Sequence, residues 1–164
     1  MKIVNLIHCT NLGGMEQASL RLMQTLRARG HQVEVLSLHP IGALGPLLQQ
    51  AGIPHRGIVY RGPGGCRSLW ELRRRLAAAR PEALSMTGHN LLAMLALGGG
   101  GNGRRVLAIH FHHTGVKPRW FWWLFYAIAT RQFRAITFPS HFCGVRRSPS
   151  IPPWPRGHEP CAIP

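Results

Sequence analysis

Acidic residues and paired cysteines are what this 164-residue sequence has least of. It contains no aspartate, and its five acidic residues, all glutamate, stand against 20 lysines and arginines. This balance favours an anionic partner without choosing among phosphates, nucleic acid and an acidic membrane. The cysteines, Cys9, Cys66, Cys143 and Cys161, are widely separated and form no Cys-x-x-Cys pair. Their spacing argues against a disulfide framework and a structural zinc site, and it predicts a protein of the reducing cytoplasm.

Long apolar runs and nucleic-acid motifs are also missing. No apolar run approaches the roughly 18 to 20 residues that a membrane-spanning helix needs, and the apolar N-terminal stretch has the length of a strand rather than of a signal peptide. Of the 20 basic residues 18 are arginine, and the sequence is rich in alanine, glycine and proline. The positive charge therefore reflects a general compositional bias as much as a binding function. Without helix-turn-helix or zinc-finger spacing, we expect no nucleic-acid partner.

What the sequence does contain is a regular alternation of strand and helix patterns. Strands are predicted at residues 2–8, 31–38, 53–60, 83–87, 105–110 and 135–138, and helices at residues 15–29, 44–50, 67–80, 90–97 and 119–133. The strand at 53–60 is interrupted by three residues poorly suited to a buried strand, His55, Arg56 and Gly57. The first helix is expected to bury Ala18, Leu22, Met23 and Leu26. This alternation predicts the α/β class, with a doubly wound parallel sheet in a single Rossmann-like domain over residues 1–142.

The pattern ends abruptly after Phe142. Residues 144–164 hold six of the 13 prolines and show no periodicity or apolar face. We therefore expect residues 143–164 to form an irregular or disordered, Pro/Arg-rich C-terminal tail.

A glycine pair, Gly13 and Gly14, stands where the first predicted strand gives way to the first helix. Glycines allow positive φ and close approach of backbone N–H groups, and a helix N-terminus favours an anion. The pair therefore indicates either a phosphate-facing loop or a tight turn between strand and helix. Glu16 has two interpretations as well, because a carboxylate in a first helical turn is favourable whether or not it binds a ligand.

The opening MKIVNLIHCTNLGGMEQASLRLMQTLRARGHQVEVLSL resembles the N-terminal domain of family 4 retaining glycosyltransferases of the GT-B fold, in which the first strand runs into a Gly-Gly-x-Glu loop and a helix. Three later stretches, SMTGHN at 85–90, VLAIH at 106–110 and ITFPS at 136–140, also resemble that family. The resemblance covers about residues 1–142. It implies the N-terminal half of a GT-B fold, transfer of a sugar from a nucleotide-sugar with retention of configuration, and no cofactor or bound metal.

The resemblance also implies roles for individual residues. A histidine at the position of His110 contacts the transferred sugar in the family and is our catalytic candidate. The substrate-binding candidates are Gly13, Gly14, Glu16, His89, Asn90 and Ser140, each also interpretable as an ordinary loop or turn residue. His112 and His113 extend His110 into a His-x-His-His motif, but no carboxylate or cysteine nearby completes a metal set, so we predict no metal site.

An aromatic stretch, Trp120 to Tyr126, holds six aromatic residues in seven and is followed by Arg131 and Arg134. Such a helix suits a membrane interface, and the family often acts on lipid-linked acceptors. The alternative is that the rings pack on the sheet or on a second domain. We expect a cytoplasmic protein, and the membrane interpretation would place it at the periphery of the inner membrane face.

Three functions follow from these patterns. In the family a C-terminal domain binds the donor through two glutamates eight positions apart, and no two glutamates of this sequence have that spacing. We therefore expect a partial glycosyltransferase, truncated or frameshifted after about residue 142, that is inactive alone. The alternatives are the acceptor-binding subunit of a split glycosyltransferase, with its donor domain on a separate chain, and a non-catalytic phosphate-binding α/β module.

Overall fold

The strands form one parallel sheet in the computed structural model, which describes residues 1–58, 66–98, 104–108, 118–138 and 161–162. The strands are β1 Lys2–Ile7, β2 Gln32–Ser37, β3 His55–Gly57, β4 Ala83–Thr87, β5 Arg104–Ala108, β6 Ala135–Phe138 and β7 Cys161–Ala162. The helices are α1 Gly14–Ala28, α2 Gly45–Gln50, α3 Cys66–Ala79, α4 Leu91–Leu97 and α5 Arg119–Gln132. The predicted α/β class and doubly wound sheet are confirmed.

The order of the strands across the sheet is β3-β2-β1-β4-β5-β6-β7, and every neighbouring pair is parallel. The chain builds outward from β1 to β3, then returns to place β4 on the other side of β1. The direction of winding therefore reverses between β1 and β4. In open α/β sheets the crevice outside the carboxyl ends of two such strands is where ligands bind.

Two hydrophobic cores lie on opposite faces of the sheet. One is built by α1 and α2 against residues such as Ile7 and Val35, and the larger one by α3, α4 and α5 against residues such as Leu6 and Met86. Successive side chains of a strand point to opposite faces, so Leu6 and Ile7 of β1 enter different cores. Strands covered on both faces read as continuous apolar runs, which is why β1 is recognisable in the sequence.

The buried face of α1 differs from the face that its leucines predicted. Leu22 is 46% exposed and Ala18 is also exposed, whereas Met23 is fully buried. The residues of α1 that are buried are Glu16, Ser19, Leu20 and Met23. Met23 was predicted correctly and Leu26 is partly buried, but the prediction was wrong for Ala18 and Leu22. Two polar residues on the buried face have partners inside the protein, which the pattern of apolar residues does not show.

One of these partners belongs to a buried polar network beneath the point where winding reverses. The Asn5 side-chain amide of β1 donates to Ser19 Oγ of α1, and Thr87 Oγ1 of β4 donates to Asn5 Oδ1 at 3.2 Å. All three residues are buried. Since a buried polar group without a hydrogen bond is costly, this network holds α1 in one position over β1 and β4.

Strand β3 consists of the three residues that were predicted to interrupt it. His55 to Gly57 pair with Val35 to Ser37 of β2, at one edge of the sheet. A β-carbon on Gly57 would lie 2.6 Å from the carbonyl oxygen of His39, so the glycine is required by the loop that follows β2. An edge position tolerates the polar side chains that a central strand would not.

Of the predicted C-terminal tail, the structure describes only Cys161 and Ala162. These two residues form β7, which pairs in parallel with Thr137 and Phe138 of β6. Regular structure at this point was not expected from the sequence.

Candidate functional site

A pocket of about 530 Å³ opens at the carboxyl ends of β1 and β4, where the winding of the sheet reverses. Its walls come from the turn after β1, the end of β4 and the first turn of α5. The described residues that line it are His8, Met15, Gly88, His89, Asn90, Leu91, Trp120 and Phe121. Two predicted substrate-binding residues, His89 and Asn90, are thus brought together.

The glycine pair directly precedes Met15, which lines the pocket, but neither glycine is itself a lining residue, and the two members of the pair serve different purposes. Gly13 precedes α1 with φ −122° and ψ 168°, and neither glycine has a positive φ. The proposed need for positive φ was therefore wrong. A β-carbon on Gly13 would lie 2.3 Å from Glu16 Oε2, whereas one on Gly14 would meet nothing within 4 Å. Gly13 makes room for the buried carboxylate, and the Gly14 side of the turn is open.

The turn that carries the glycines is tied to the loop after β2. Thr10 is fully buried; its hydroxyl accepts from the N–H of Gly42 at 2.7 Å, and its carbonyl accepts from the N–H of Leu44 at 2.8 Å. A β-carbon on Gly42 would lie 2.8 Å from Asn11 Oδ1. These contacts fix the backbone from which α1 starts, so the turn that contains Gly13 and Gly14 is held in one conformation.

Asn90 joins the β4 side of the pocket to the β1 side. Its Oδ1 accepts from the N–H of Ala93 at 2.9 Å, which makes it the N-cap of α4. Its Nδ2 lies 3.4 Å from Nδ1 of His8. Because the capping interaction requires the amide oxygen to face α4, the amide NH₂ is the group presented to His8.

His8 was not among the sequence candidates, although it directly follows β1. Partial burial, and then the neighbouring His39, lower the pKa of His8, while Glu16 acts to raise it. The two imidazole rings meet edge to face, with their centroids 4.7 Å apart. His8 is therefore a neutral imidazole at pH 7, able to accept at one nitrogen and to donate from the other. Its position at the end of a parallel strand was the signal that could have identified it.

Glu16 lies between the glycine turn and Cys9. It is 7% exposed, and the thiol of Cys9 is 3.6 Å from its Oε1. Burial raises the pKa of the Cys9 thiol, and the Glu16 carboxylate raises it further. Cys9 is thus held as a protonated thiol, which is a poor nucleophile.

Gly88 was also not among the site residues predicted from the sequence. Its φ is +101°, a conformation that side-chain-bearing residues rarely adopt, and it lies directly after β4. The turn that this permits carries His89 against the aromatic residues of α5. The centroid of His89 lies 6.4 Å from Phe121 and 5.4 Å from Trp122.

The aromatic stretch of α5 divides between the core and the surface. Trp122, Phe125 and Tyr126 are buried against the sheet, as the packing alternative predicted, and burial raises the pKa of Tyr126. Trp120 and Trp123 are 65% and 56% exposed. Only part of the stretch is therefore accounted for by packing, and the exposed Trp120 lines the pocket.

His110, Ser140, His112 and His113 lie outside the residues that the structure describes. Their predicted roles stay predictions. Within the described residues, no three histidine, cysteine or acidic side chains are grouped so that they could hold a metal ion. Nor does any helix in the described part of the chain have the length and apolar character needed to cross a membrane.

Comparison with solved structures gives the same architecture. The chain is similar to Anabaena Alr3699/HepE, crystallised with UDP-glucose, with a TM-score of 0.66 and 18% identity over 85% of this chain and 38% of that one. A glycosyltransferase from Rickettsia africae ESF-5 has a TM-score of 0.61 and 10% identity over 86% and 37% of the two chains. The UDP-GlcNAc 2-epimerase from Methanocaldococcus jannaschii has a TM-score of 0.58 and 10% identity over 88% and 41%. This chain therefore spans about two fifths of the length of these proteins.

The fold and the place of the pocket define a Rossmann-like domain with a pocket at the reversal point of its parallel sheet, which is where ligands bind in open α/β folds. The fold alone does not decide the chemistry, because the similar structures include both a glycosyltransferase and an epimerase. A model of the Glycosyltransferase Family 4 sequences matches residues 12–144. The chain belongs to this family, which confirms the resemblance found in the sequence. A search of curated protein sequences finds no significant match.

Proposed function

We propose that this chain is the acceptor-side domain of a retaining glycosyltransferase, which moves a sugar from a nucleotide-sugar donor to an acceptor held in the pocket between β1 and β4. The observation that carries the proposal is the pocket itself, at the reversal point of a family 4 domain. Its lining residues include His8 and Met15, which lie before and after the Gly13-Gly14 pair in the sequence. UDP-glucose and UDP bound to the structurally similar Alr3699/HepE support a nucleotide-sugar as the donor.

In this proposal the open side of Gly14 faces the donor diphosphate. The first N–H groups of α1 have no carbonyl partner within the helix, and they form its positive end. Glu16 occupies the other side of Gly13, where its carboxylate would repel a phosphate. The chain therefore offers a diphosphate only part of a binding site. Transfer requires a donor-binding half, either on the same gene product or on a separate chain, and the 164 residues alone are inactive.

Isothermal titration calorimetry of the 164-residue chain with UDP, GDP and their sugars tests whether most of the nucleotide-binding contacts lie in the donor half. We expect weak binding, because most of the nucleotide contacts belong to the donor half. Tight binding of a nucleotide alone would instead favour a non-catalytic phosphate-binding module. Transfer of radiolabelled sugar by the purified chain, without any partner, would contradict the need for a donor half.

The origin of the chain is tested separately by its gene. Reading the DNA downstream of codon 143 in all three frames should reveal a second α/β unit with two glutamates eight positions apart if the chain is frameshifted or truncated. If no frame encodes such a unit, that origin is wrong. Copurification of a donor-domain chain from the native cells would then support a split enzyme.

The two exposed tryptophans favour a second role, peripheral binding at the cytoplasmic face of the inner membrane. Trp120 and Trp123 lie on the surface of α5, on a chain of net charge +15, and exposed Arg131 follows on the same helix. Tryptophan suits the lipid headgroup region, and arginine is attracted to anionic lipid. Cosedimentation with phosphatidylglycerol vesicles, but not phosphatidylcholine vesicles, is expected and should weaken in Trp123→Ala. Equal sedimentation of the variant would rule out this role for α5.

A further inference from the structure

The pocket has one polar wall and one aromatic wall. His8 and Asn90 form the polar wall, at the ends of β1 and β4, and Trp120 and Phe121 form the aromatic wall on α5. Such a pocket suits a ligand that is itself two-sided. A sugar ring is of this kind, with hydroxyls around its edge and C–H groups on its faces.

The hydrogen-bonding state of His8 follows from its neighbour. The N-cap interaction with Ala93 turns the Asn90 amide so that its NH₂ faces Nδ1 of His8 at 3.4 Å. Nδ1 must then accept, and in a neutral imidazole the hydrogen resides on Nε2. Nε2 makes no hydrogen bond to any residue that the structure describes. The pocket therefore contains a donor whose hydrogen is available to a ligand.

The charges around His8 disfavour an anionic ligand. None of the described residues that line the pocket is lysine, arginine, aspartate or glutamate, although the chain carries 20 lysines and arginines. The carboxylate whose field reaches His8 is that of Glu16. An anion placed against His8 would meet this negative charge.

We propose that His8 and Trp120 select an uncharged hexose ring as the acceptor group in this pocket, with His8 Nε2–H donating to a ring oxygen or hydroxyl and the Trp120 indole packing on a face of the ring. The inference deepens the proposed function, because it rests on the pocket being the acceptor site. It goes further in assigning the charge of the acceptor group and the two residues that orient it.

The tautomer of His8 provides a direct test of the polar wall. Long-range ¹H–¹⁵N NMR of the full 164-residue chain at pH 7.5 should show the hydrogen on Nε2. In Asn90→Asp the N-cap is retained, since aspartate caps as well as asparagine, but a carboxylate can only accept. The hydrogen should then move to Nδ1. Finding it on Nδ1 in the unmodified chain would overturn the proposal.

Binding is tested with five sugars of two charge classes. The neutral probes are methyl glucosides, galactosides and mannosides, and the anions are glucuronic acid and glucose 6-phosphate. Saturation-transfer NMR should detect at least one neutral glycoside, with the anions binding more weakly. His8→Phe and Trp120→Ala should each reduce its affinity about fivefold. Trp123→Ala is the matched control, because Trp123 is an exposed tryptophan on the same helix that does not line the pocket, and its affinity should be unchanged.

Circular dichroism of each variant shows whether it folds. If His8→Phe does not fold, His8→Gln replaces it; because glutamine retains a hydrogen-bond donor, this variant should keep part of the affinity of the unmodified chain. Anions that bind as tightly as the neutral probes, unchanged affinity in the folded variants, or no binding of any neutral glycoside would each overturn the proposal.

The proposed function fails on different evidence. If the chain with its donor half transfers sugar to an anionic acceptor, the proposed function stands and the selection of an uncharged hexose is refuted. If a neutral glycoside binds but no sugar is transferred, the selection stands and the proposed function is refuted.

Discussion

Replacing Gly13 by alanine tests whether the first glycine of the pair exists to make room for Glu16. The backbone of Gly13 is extended, at φ −122°, so alanine is not strained there. The new β-carbon would lie 2.3 Å from Glu16 Oε2, and the carboxylate must leave its position. Because Glu16 is buried and closely surrounded, we expect the substitution to destabilise the fold.

The magnitude has two parts. Alanine in place of glycine at a helix N-cap costs about 0.5–1 kcal/mol. Moving a carboxylate away from the N-terminus of a helix costs about 0.3–1 kcal/mol more. The free energy of unfolding should therefore fall by about 1–2 kcal/mol, measured by urea denaturation with tryptophan fluorescence.

Two further variants isolate the contact. Gly14→Ala has open space for its β-carbon and an ordinary backbone, so it should raise the free energy of unfolding by about 0.4–1 kcal/mol through the unfolded state. Introducing Gly13→Ala into a Glu16→Ala background should cost only the capping part. If the two substitutions are additive, or if Gly13→Ala is as stable as Gly14→Ala, the proposed contact is not what requires the glycine.

Three other predictions follow from the packing. Asn5→Ala leaves two buried hydroxyls without their partner and should cost about 2 kcal/mol in urea unfolding, whereas Thr25→Ala, which removes an exposed hydroxyl, should cost less than about 0.5 kcal/mol. Gly57→Ala places a methyl 2.6 Å from a carbonyl oxygen that cannot swing away, and should lower the free energy of unfolding by about 1–3 kcal/mol; an unchanged value would contradict the packing of this loop. Burial raises the pKa of Tyr126, so only the unfolded state ionises this phenol above about pH 10, and stability should fall there as pH rises. Thermal unfolding of Tyr126→Phe should show a smaller alkaline loss, and an identical loss would mean that other groups cause it.

Most of the sheet could be predicted because most residues of its central strands are apolar. β4 and β6 were placed with the observed bounds, and other elements within one or two residues, because proline or glycine ends several of them. The third strand was the exception. Two of its three residues, His55 and Arg56, are polar, and the strand forms through pairing with β2 and contact with the loop over Gly57. Neither contact can be read from the local sequence pattern.

The candidate site was predicted in part. His89 and Asn90, which line the pocket, were selected as candidates because they follow a clear strand, and the same argument applied to β1 would have selected His8. Trp120 was assigned to a membrane or to packing, because a helical pattern does not show which turn reaches a neighbouring strand end. The buried face of α1 was predicted only in part, because Glu16 and Ser19 are buried through contacts with residues distant in the sequence or in the turn before the helix.

The pocket is lined by residues from both helical layers, which lie on opposite sides of the sheet. Met15 is part of the layer formed by α1, and Trp120 is part of the layer formed by α5. A ligand bound in the pocket contacts residues of both layers. Either layer can therefore separate from the sheet only after the ligand dissociates. Its binding free energy is added to the stability of both layers at once. Occupancy of a small pocket at the edge would thereby slow amide hydrogen exchange in helices that have no direct part in binding.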